Sequence, residues 1–204
     1  MFNTNLENKD IIDPKTITNK TIQTIFDKAD CIHDFKTVNN ALDKMATAIT
    51  KKLKDENPLV LCVMIGALVP GGHLLTRLNF PLEIDYIHAT RYRNEMRGGD
   101  LHWLVEPRQS LENRTVLLLD DIMDGGLTLS AIIDYCKQAN AKAIYSAVIV
   151  NKIREREPGV NFEPDFVGLD TEDRFLFGFG LDYKGYLRNA PGIYAVAKEH
   201  EILG

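Results

Sequence analysis

Residues 116–130 read VLLLDDIMDGGLTLS and are the most informative part of the 204-residue chain. Four aliphatic residues predict a buried strand, and Asp120 and Asp121 follow at its carboxyl end. Asp124 and the pair Gly125–Gly126 then predict a tight loop that leads into a helix. In open sheets of parallel strands, ligands bind at this carboxyl edge, so the segment indicates a binding site.

Each part of this segment suits one part of a phosphorylated sugar. Two adjacent carboxylates offer only hydrogen-bond acceptors, which fit vicinal hydroxyls or a hydrated cation. Glycines let backbone N–H groups approach a ligand closely. The helix that Thr128 is predicted to open supplies unpaired amides and a partial positive charge, which favour a phosphate. An ordinary strand end with two solvated aspartates stays open as the alternative.

Two other phosphate-binding motifs are excluded. The nearest match to a nucleotide-binding P-loop, GALVPGGH from Gly66 to His73, lacks the Lys and the Ser or Thr that this loop needs. Residues 120–124 spell DDIMD, which resembles the DDxxD of prenyl diphosphate synthases. That motif needs a long helix, whereas the residues before it favour a strand and the glycines after it stop a helix.

Apolar runs and helical spacing alternate along the chain and predict an α/β fold with a mainly parallel twisted sheet flanked by helices. The polar segment from Arg91 to Asp100 is predicted to be a mobile loop. Helices are predicted over 38–53, after Pro70 and over 129–136, and strands over 59–65, 82–87, 116–119, 143–150, 166–169, around Leu176 and over 193–196.

The composition bounds the class of protein. The net charge of -5 argues against a general nucleic-acid-binding surface. The first residues lack the pattern of a signal peptide, and the apolar runs are too short for a membrane span, so we expect a cytoplasmic protein without membrane or nucleic-acid partners. Three widely spaced cysteines are expected to be reduced thiols.

Later motifs extend this picture. PDFVGLD spans residues 164–170, DRFLFGFGLDYKGYLR spans residues 173–188, and Lys152 lies just after a predicted strand. With residues 116–130, they resemble the hypoxanthine-guanine phosphoribosyltransferases, a family of type I phosphoribosyltransferases. The resemblance runs from about Leu59 to Val196.

The resemblance implies a fold, a reaction and an assembly. It implies one domain over residues 1–204, with a small hood lobe formed by the N- and C-terminal segments. The implied reaction converts hypoxanthine or guanine and phosphoribosyl pyrophosphate (PRPP) to IMP or GMP and pyrophosphate, with Mg²⁺ as cofactor. The implied assembly is a homodimer or homotetramer.

The resemblance also implies roles for individual residues. Asp120 and Asp121 would bind the ribose and Mg²⁺, and Asp182, beside the purine, would be a second acid on the metal side. Gly66 would bind pyrophosphate, and Arg188 would be the arginine that contacts pyrophosphate. The 5′-phosphate would be bound by Asp124, Gly125, Gly126, Leu127 and Thr128. At the purine, Asp124 would be the general base toward N7, Lys152 would donate to the 6-oxo group, and Phe175 would stack on the ring. The backbone of Leu176 would contact the edge of the purine. Arg91 and Tyr92 would lie in a flap loop.

The chain departs from the family pattern at four positions, where Ile65 replaces a common lysine, Gly125 a Thr or Ser, Leu127 a basic residue and Arg91 a serine. Two other functions stay open. One is a regulatory protein of the same fold that senses PRPP, and the other is a phosphoribosyltransferase for another base such as xanthine.

Overall fold

The computed structural model describes residues 18–91 and 101–201. The helices in these ranges are α1 (Asn19–Lys28), α2 (Phe35–Leu53), α3 (Leu68–Leu75), α4 (Leu127–Gln138) and α5 (Lys198–Glu201). The strands are β1 (Asp30–His33), β2 (Leu59–Met64), β3 (Glu83–Arg91), β4 (Leu101–Val105), β5 (Thr115–Met123), β6 (Ala143–Lys152), β7 (Phe166–Thr171), β8 (Leu176–Phe177) and β9 (Ile193–Ala195).

Within residues 18–91 and 101–201, the larger sheet has six strands in the order β4-β3-β2-β5-β6-β7. All neighbouring pairs are parallel except β3 and β4, which run antiparallel. The α/β prediction with a mainly parallel sheet is therefore confirmed. Met123 at the end of β5 pairs with Asn151 near the end of β6, so the carboxyl ends of both strands lie at one edge.

Helices cover both faces of this sheet. On one face, α2 buries an apolar stripe spaced three or four residues apart, which packs with residues of β2, β5 and β6. On the other face, α4 contributes Leu129, Ile132 and Cys136 to a second core with the alternate residues of the same strands. Within the described ranges, no helix combines the length and apolarity needed to cross a bilayer.

A smaller antiparallel sheet has the order β1-β9-β8 and combines an N-terminal strand with two C-terminal ones. Ile22 and Ile25 of α1 pack there against Phe177, Tyr183 and Val196. Sequence patterns had predicted neither α1 nor β1.

Several predicted boundaries are wrong. Helix α3 begins at Leu68 rather than after Pro70, which occupies the first turn, where a proline is tolerated. Strand β4 had not been predicted, and α4 begins at Leu127, one residue before Thr128. Arg91 ends β3, while the rest of the predicted loop, residues 92–100, lies outside the described residues.

Candidate active site

The acid pair lies near the carboxyl end of β5, and Asp120 and Asp121 are each only 8% exposed. The carboxylates are therefore largely shielded from solvent, in contrast to the alternative of an ordinary strand end with two solvated aspartates. Burial raises the pKa of both carboxyls, and the charge of Asp121 raises the pKa of Asp120 further, while the charge of Arg188 opposes the shift in both. Hydrogen-bond donors or a cation brought by a ligand would stabilise this pair.

Gly66, directly after β2, leaves room for the acid pair. A Cβ atom at this position would lie 2.3 Å from Asp121 Oδ2, which is far inside van der Waals contact. The glycine is therefore required by close approach of the β2–α3 turn to the carboxylate. Ile65, its neighbour, is half exposed and lines the same cavity.

The loop of residues 124–128 ends at the start of α4. Gly126 is the N-cap of the helix with a left-handed φ of 85°, and a Cβ there would lie 2.5 Å from Met123 Cε. Because the N-cap residue is a glycine, it has no side chain that could accept from the first N–H groups of the helix. The first N–H groups of an α-helix have no partner within the helix. The first residues of α4 line a cavity of about 660 Å³ with Gly66 and the acid pair.

Arg188 connects the C-terminal segment to the acid pair. One guanidinium nitrogen lies 2.6 Å from Asp182 Oδ1, and the other lies 3.7 Å from Asp121 Oδ2 and also donates to the carbonyl of Gly180. The second oxygen of Asp182 accepts from the N–H of Gly185 at 2.7 Å. Arg188 and Asp182 are therefore held in fixed positions at the wall of the cavity.

A second cavity of about 300 Å³ is lined by Lys152, Phe175 and Leu176. Lys152 Nζ lies 3.4 Å from Asp124 Oδ2 and 3.2 Å from Asp173 Oδ1, and its side chain is 11% exposed. Phe175 is half-buried and packs edge-on against Tyr183. The walls that this cavity shares with the larger one are Asp121, Ile122, Asp124 and Asp182.

The fold thus brings most of the predicted site residues together. The walls of the two cavities include Gly66, Asp120, Asp121, Asp124, Gly125, Gly126, Leu127, Thr128, Lys152, Phe175, Leu176, Asp182 and Arg188. The two flap positions are not placed, because Tyr92 lies outside the described residues and only the backbone of Arg91 is described.

Sequence reasoning missed the segment after β6. Arg156 donates to the carbonyls of Asp124 and Lys152, both at 3.0 Å, and so ties the loop to the end of β6. The N–H of Glu157 donates to the carbonyl of Gly125 at 3.0 Å, and its side chain occupies the space beside that glycine. The available signal was the charged run of residues 154–157, which Ile153 separates from Lys152.

The carboxylates of the larger cavity suit a divalent metal ion that also binds substrate. Among the described residues, no three His, Cys, Asp or Glu side chains form a ready-made metal site. Mg²⁺ usually binds through one or two carboxylates and completes its shell with water and substrate oxygens. The paired carboxylates of Asp120 and Asp121, with Asp182 on the same cavity wall, fit that mode of binding.

The sheet and the loop at its carboxyl edge define a phosphoribosyltransferase. The family model described as "Phosphoribosyl transferase domain" matches residues 28–184, which include the acid pair, the loop and Lys152.

Individual relatives narrow this class. The chain is 30% identical to the hypoxanthine-guanine phosphoribosyltransferase of Bacillus subtilis over 76% of its length and 86% of that protein. It is 27% identical to the hypoxanthine-guanine-xanthine phosphoribosyltransferase of Tritrichomonas foetus, over 79% of its length and 87% of that protein. A solved hypoxanthine-guanine phosphoribosyltransferase from Bacillus anthracis superposes with a TM-score of 0.77 at 25% identity, covering 82% of this chain and 98% of that one. The chain belongs to the hypoxanthine-guanine phosphoribosyltransferase family.

Proposed function

We propose that this chain is a purine-salvage enzyme that transfers the 5-phosphoribosyl group of PRPP to hypoxanthine or guanine, giving IMP or GMP and pyrophosphate. The observation that carries the proposal is the continuity of the two cavities, which share Asp121, Ile122, Asp124 and Asp182. A sugar phosphate in the larger cavity and a base in the smaller one would meet at this shared wall. The new glycosidic bond must form there.

The larger cavity is proposed to hold the ribose 5-phosphate. The unpaired N–H groups at the start of α4 favour a phosphate, and backbone donors make up for the departures at Gly125 and Leu127, where family members carry polar side chains. Asp120 and Asp121 would accept hydrogen bonds from the ribose hydroxyls. Their burial supports this role, because a ligand with donors would relieve the cost of two close, buried carboxylates.

Mg²⁺ is proposed as the cofactor, held by Asp120, Asp121 and Asp182. Among the described residues, the walls of the larger cavity have one basic side chain, that of Arg188, and the acids Asp120, Asp121, Asp124, Glu157 and Asp182. PRPP is strongly anionic, so a cation is needed between these charges. When bound, Mg²⁺ would neutralise negative charge on the departing pyrophosphate.

Asp124 and Arg188 are proposed as the catalytic residues. Asp124 lies on the wall shared by both cavities, where its carboxylate can take the proton from the purine N7 as the base attacks. Arg188 is fixed by Asp182 and by the carbonyl of Gly180, so its guanidinium needs little reorganisation to stabilise charge on pyrophosphate.

The smaller cavity is proposed to read a 6-oxopurine. Lys152 has only donors, so it suits a 6-oxo group and disfavours the amino group of adenine. Phe175 would stack on the base, the backbone of Leu176 would read its edge, and Asp182 would lie beside it. Xanthine shares the 6-oxo group, which keeps it a candidate substrate.

The wider organisation is also proposed. We take residues 1–204 as one domain in which β1, β8 and β9, with α1, form the hood lobe over the larger sheet. We further propose a cytoplasmic homodimer or homotetramer whose ligands are PRPP and a 6-oxopurine, without nucleic-acid or membrane partners.

A spectrophotometric assay tests this function. Purified chain, PRPP and Mg²⁺ are incubated separately with hypoxanthine, guanine, xanthine, adenine and uracil. The proposal expects turnover with hypoxanthine, guanine or both, and rejection of adenine. Binding of PRPP without turnover of any base would favour a PRPP-sensing regulator instead.

A further inference from the structure

Arg154 belongs to an ionic cluster around Asp124. Its NH1 atom lies 3.0 Å from Asp124 Oδ1 and 3.7 Å from Asp173 Oδ2, and its NH2 atom lies 3.7 Å from Glu157 Oε1. Lys152 Nζ lies 3.4 Å from the other oxygen of Asp124, Oδ2. Each oxygen of the Asp124 carboxylate therefore has its own cation.

Arg154 contacts Asp124 without lining either cavity. Among the described residues, the cavity walls include Asp124 and Lys152 but not Arg154. The Nε atom of Arg154 donates to the carbonyl of Glu155 at 3.3 Å, which fixes the guanidinium plane from its own turn of chain. The arginine is thus placed to act on the carboxylate rather than on a ligand.

The loop itself offers little to orient Asp124. Gly125 has no side chain, and a Cβ there would lie 2.6 Å from Glu157 Cγ, so the space is already filled from the segment after β6. That segment is anchored to the loop by the bond from Glu157 N–H to the Gly125 carbonyl. Arg154 lies on this same anchored segment, and the planar donors of an arginine impose a defined orientation on a carboxylate.

We infer that Arg154 is a positioning residue, which holds Oδ1 of Asp124 so that the carboxylate faces the base cavity beside Lys152. This inference rests on the proposed function, because it takes Asp124 as the proton acceptor for the purine. It assigns to Arg154 an effect on the chemical step that passes through Asp124 and leaves PRPP binding unchanged.

A double-mutant cycle on kcat tests the inference in the full chain with hypoxanthine, PRPP and Mg²⁺. Arg154→Gln lowers kcat on the order of tenfold, while the KM for PRPP stays unchanged. The expected loss is at the low end for a hydrogen bond to a charged group, because the Arg154 side chain is one-third exposed. Arg154→Lys recovers part of the rate, since it keeps the charge without the planar fork. In an Asp124→Asn background, Arg154→Gln has no further effect.

Lys137→Gln is the matched control, because it also removes one cation but from an exposed pair with Asp134 on α4, and its kinetics stay those of the parent. Thermal unfolding of each variant separates loss of folding from loss of rate, and Arg154→Lys keeps the test open if Arg154→Gln does not fold.

If the parent chain is active, three results overturn the inference. The first is unchanged kinetics in Arg154→Gln, and the second is an equal loss of kcat whether Asp124 is present or replaced. The third is a rise in the KM for PRPP alone, which would show that Arg154 acts in phosphate binding. A parent chain inactive with every base is a different failure. It contradicts the proposed function, and the inference falls with it.

Discussion

Replacing Gly66 by alanine should damage PRPP binding with a modest effect on folding. The new Cβ would lie 2.3 Å from Asp121 Oδ2, whereas ordinary contacts begin at 3.4 Å, so the carboxylate must retreat by 3.4 − 2.3, or about 1.1 Å. Misplacement of a functional group by about 1 Å can cost roughly 100-fold in rate. We therefore expect kcat/KM for PRPP to fall about 100-fold in Gly66→Ala, measured by initial rates with saturating hypoxanthine.

The cost to stability is smaller, because the atoms that must move end a side chain rather than form backbone. Overpacking of this kind costs about 1–3 kcal/mol, and each kcal/mol lowers the unfolding midpoint by roughly 2–4 °C in a chain of this size. Asp121→Ala removes the three atoms that lie nearest to the new Cβ, so Gly66→Ala should cost less in that background.

Gly72→Ala provides the matched control. Gly72 lies in α3, and a Cβ there meets nothing within 4 Å. This substitution should leave PRPP kinetics unchanged and stabilise the helix by about 0.5–1 kcal/mol. Normal PRPP kinetics in Gly66→Ala would refute the reasoning, since they would show that PRPP does not depend on the position of Asp121.

Three further variants, two single and one double, probe the other roles. Asp124→Asn should slow the chemical step roughly 100- to 10,000-fold with little change in substrate binding, as single-turnover and binding measurements can show. Lys152→Ala should lower kcat/KM for hypoxanthine about 10- to 150-fold without weakening PRPP binding. If only PRPP binding were weakened, the purine pocket would not be at Lys152. Because burial raises the pKa of both carboxyls of the acid pair, their contribution to stability falls as the pH rises through their folded-state pKa values. The double variant Asp120→Asn/Asp121→Asn should therefore be more stable than the parent chain at neutral pH without ligand. It should also lose its affinity for PRPP, measured by calorimetry with Mg²⁺. Unchanged affinity would show that the pair does not bind the ribose.

The central segment was predictable because its signals are local. Four aliphatic residues form the buried first part of β5, which runs on through the acid pair to Met123, and Gly126 takes the left-handed conformation that starts α4. Lys152 was assigned to the site only through the family resemblance. The structure brings it close to this segment because parallel strands have their carboxyl ends at one edge.

Features that depend on distant partners were not predictable. Asp85 alternates with apolar residues, a pattern typical of a solvent-facing side chain, yet it is buried while Ile84 is exposed. Its carboxylate accepts from the backbone N–H groups of Tyr86, Arg108 and Gln109, and two of these lie more than twenty residues later in the chain. These hydrogen bonds to the Asp85 carboxylate offset the free-energy cost of burying it. Because two of them come from distant residues, the periodicity of the sequence does not indicate them.

The same limit applies to β1 and to Arg154. Strand β1 has four residues and is stabilised by pairing with β9 at the other end of the chain. The charged run after Lys152 resembles a solvated surface in sequence, and its contacts with Asp124 become visible only when the loop and the end of β6 are brought together.

A structure of the chain in complex with IMP tests the central claim most directly, because one ligand spans both cavities. The account predicts the 5′-phosphate on the N–H groups of residues 124–128, the ribose hydroxyls on Asp120 and Asp121, and the 6-oxo group within hydrogen-bond distance of Lys152 Nζ. A phosphate bound away from this loop, or a base whose 6-oxo group lies far from Lys152, would contradict it.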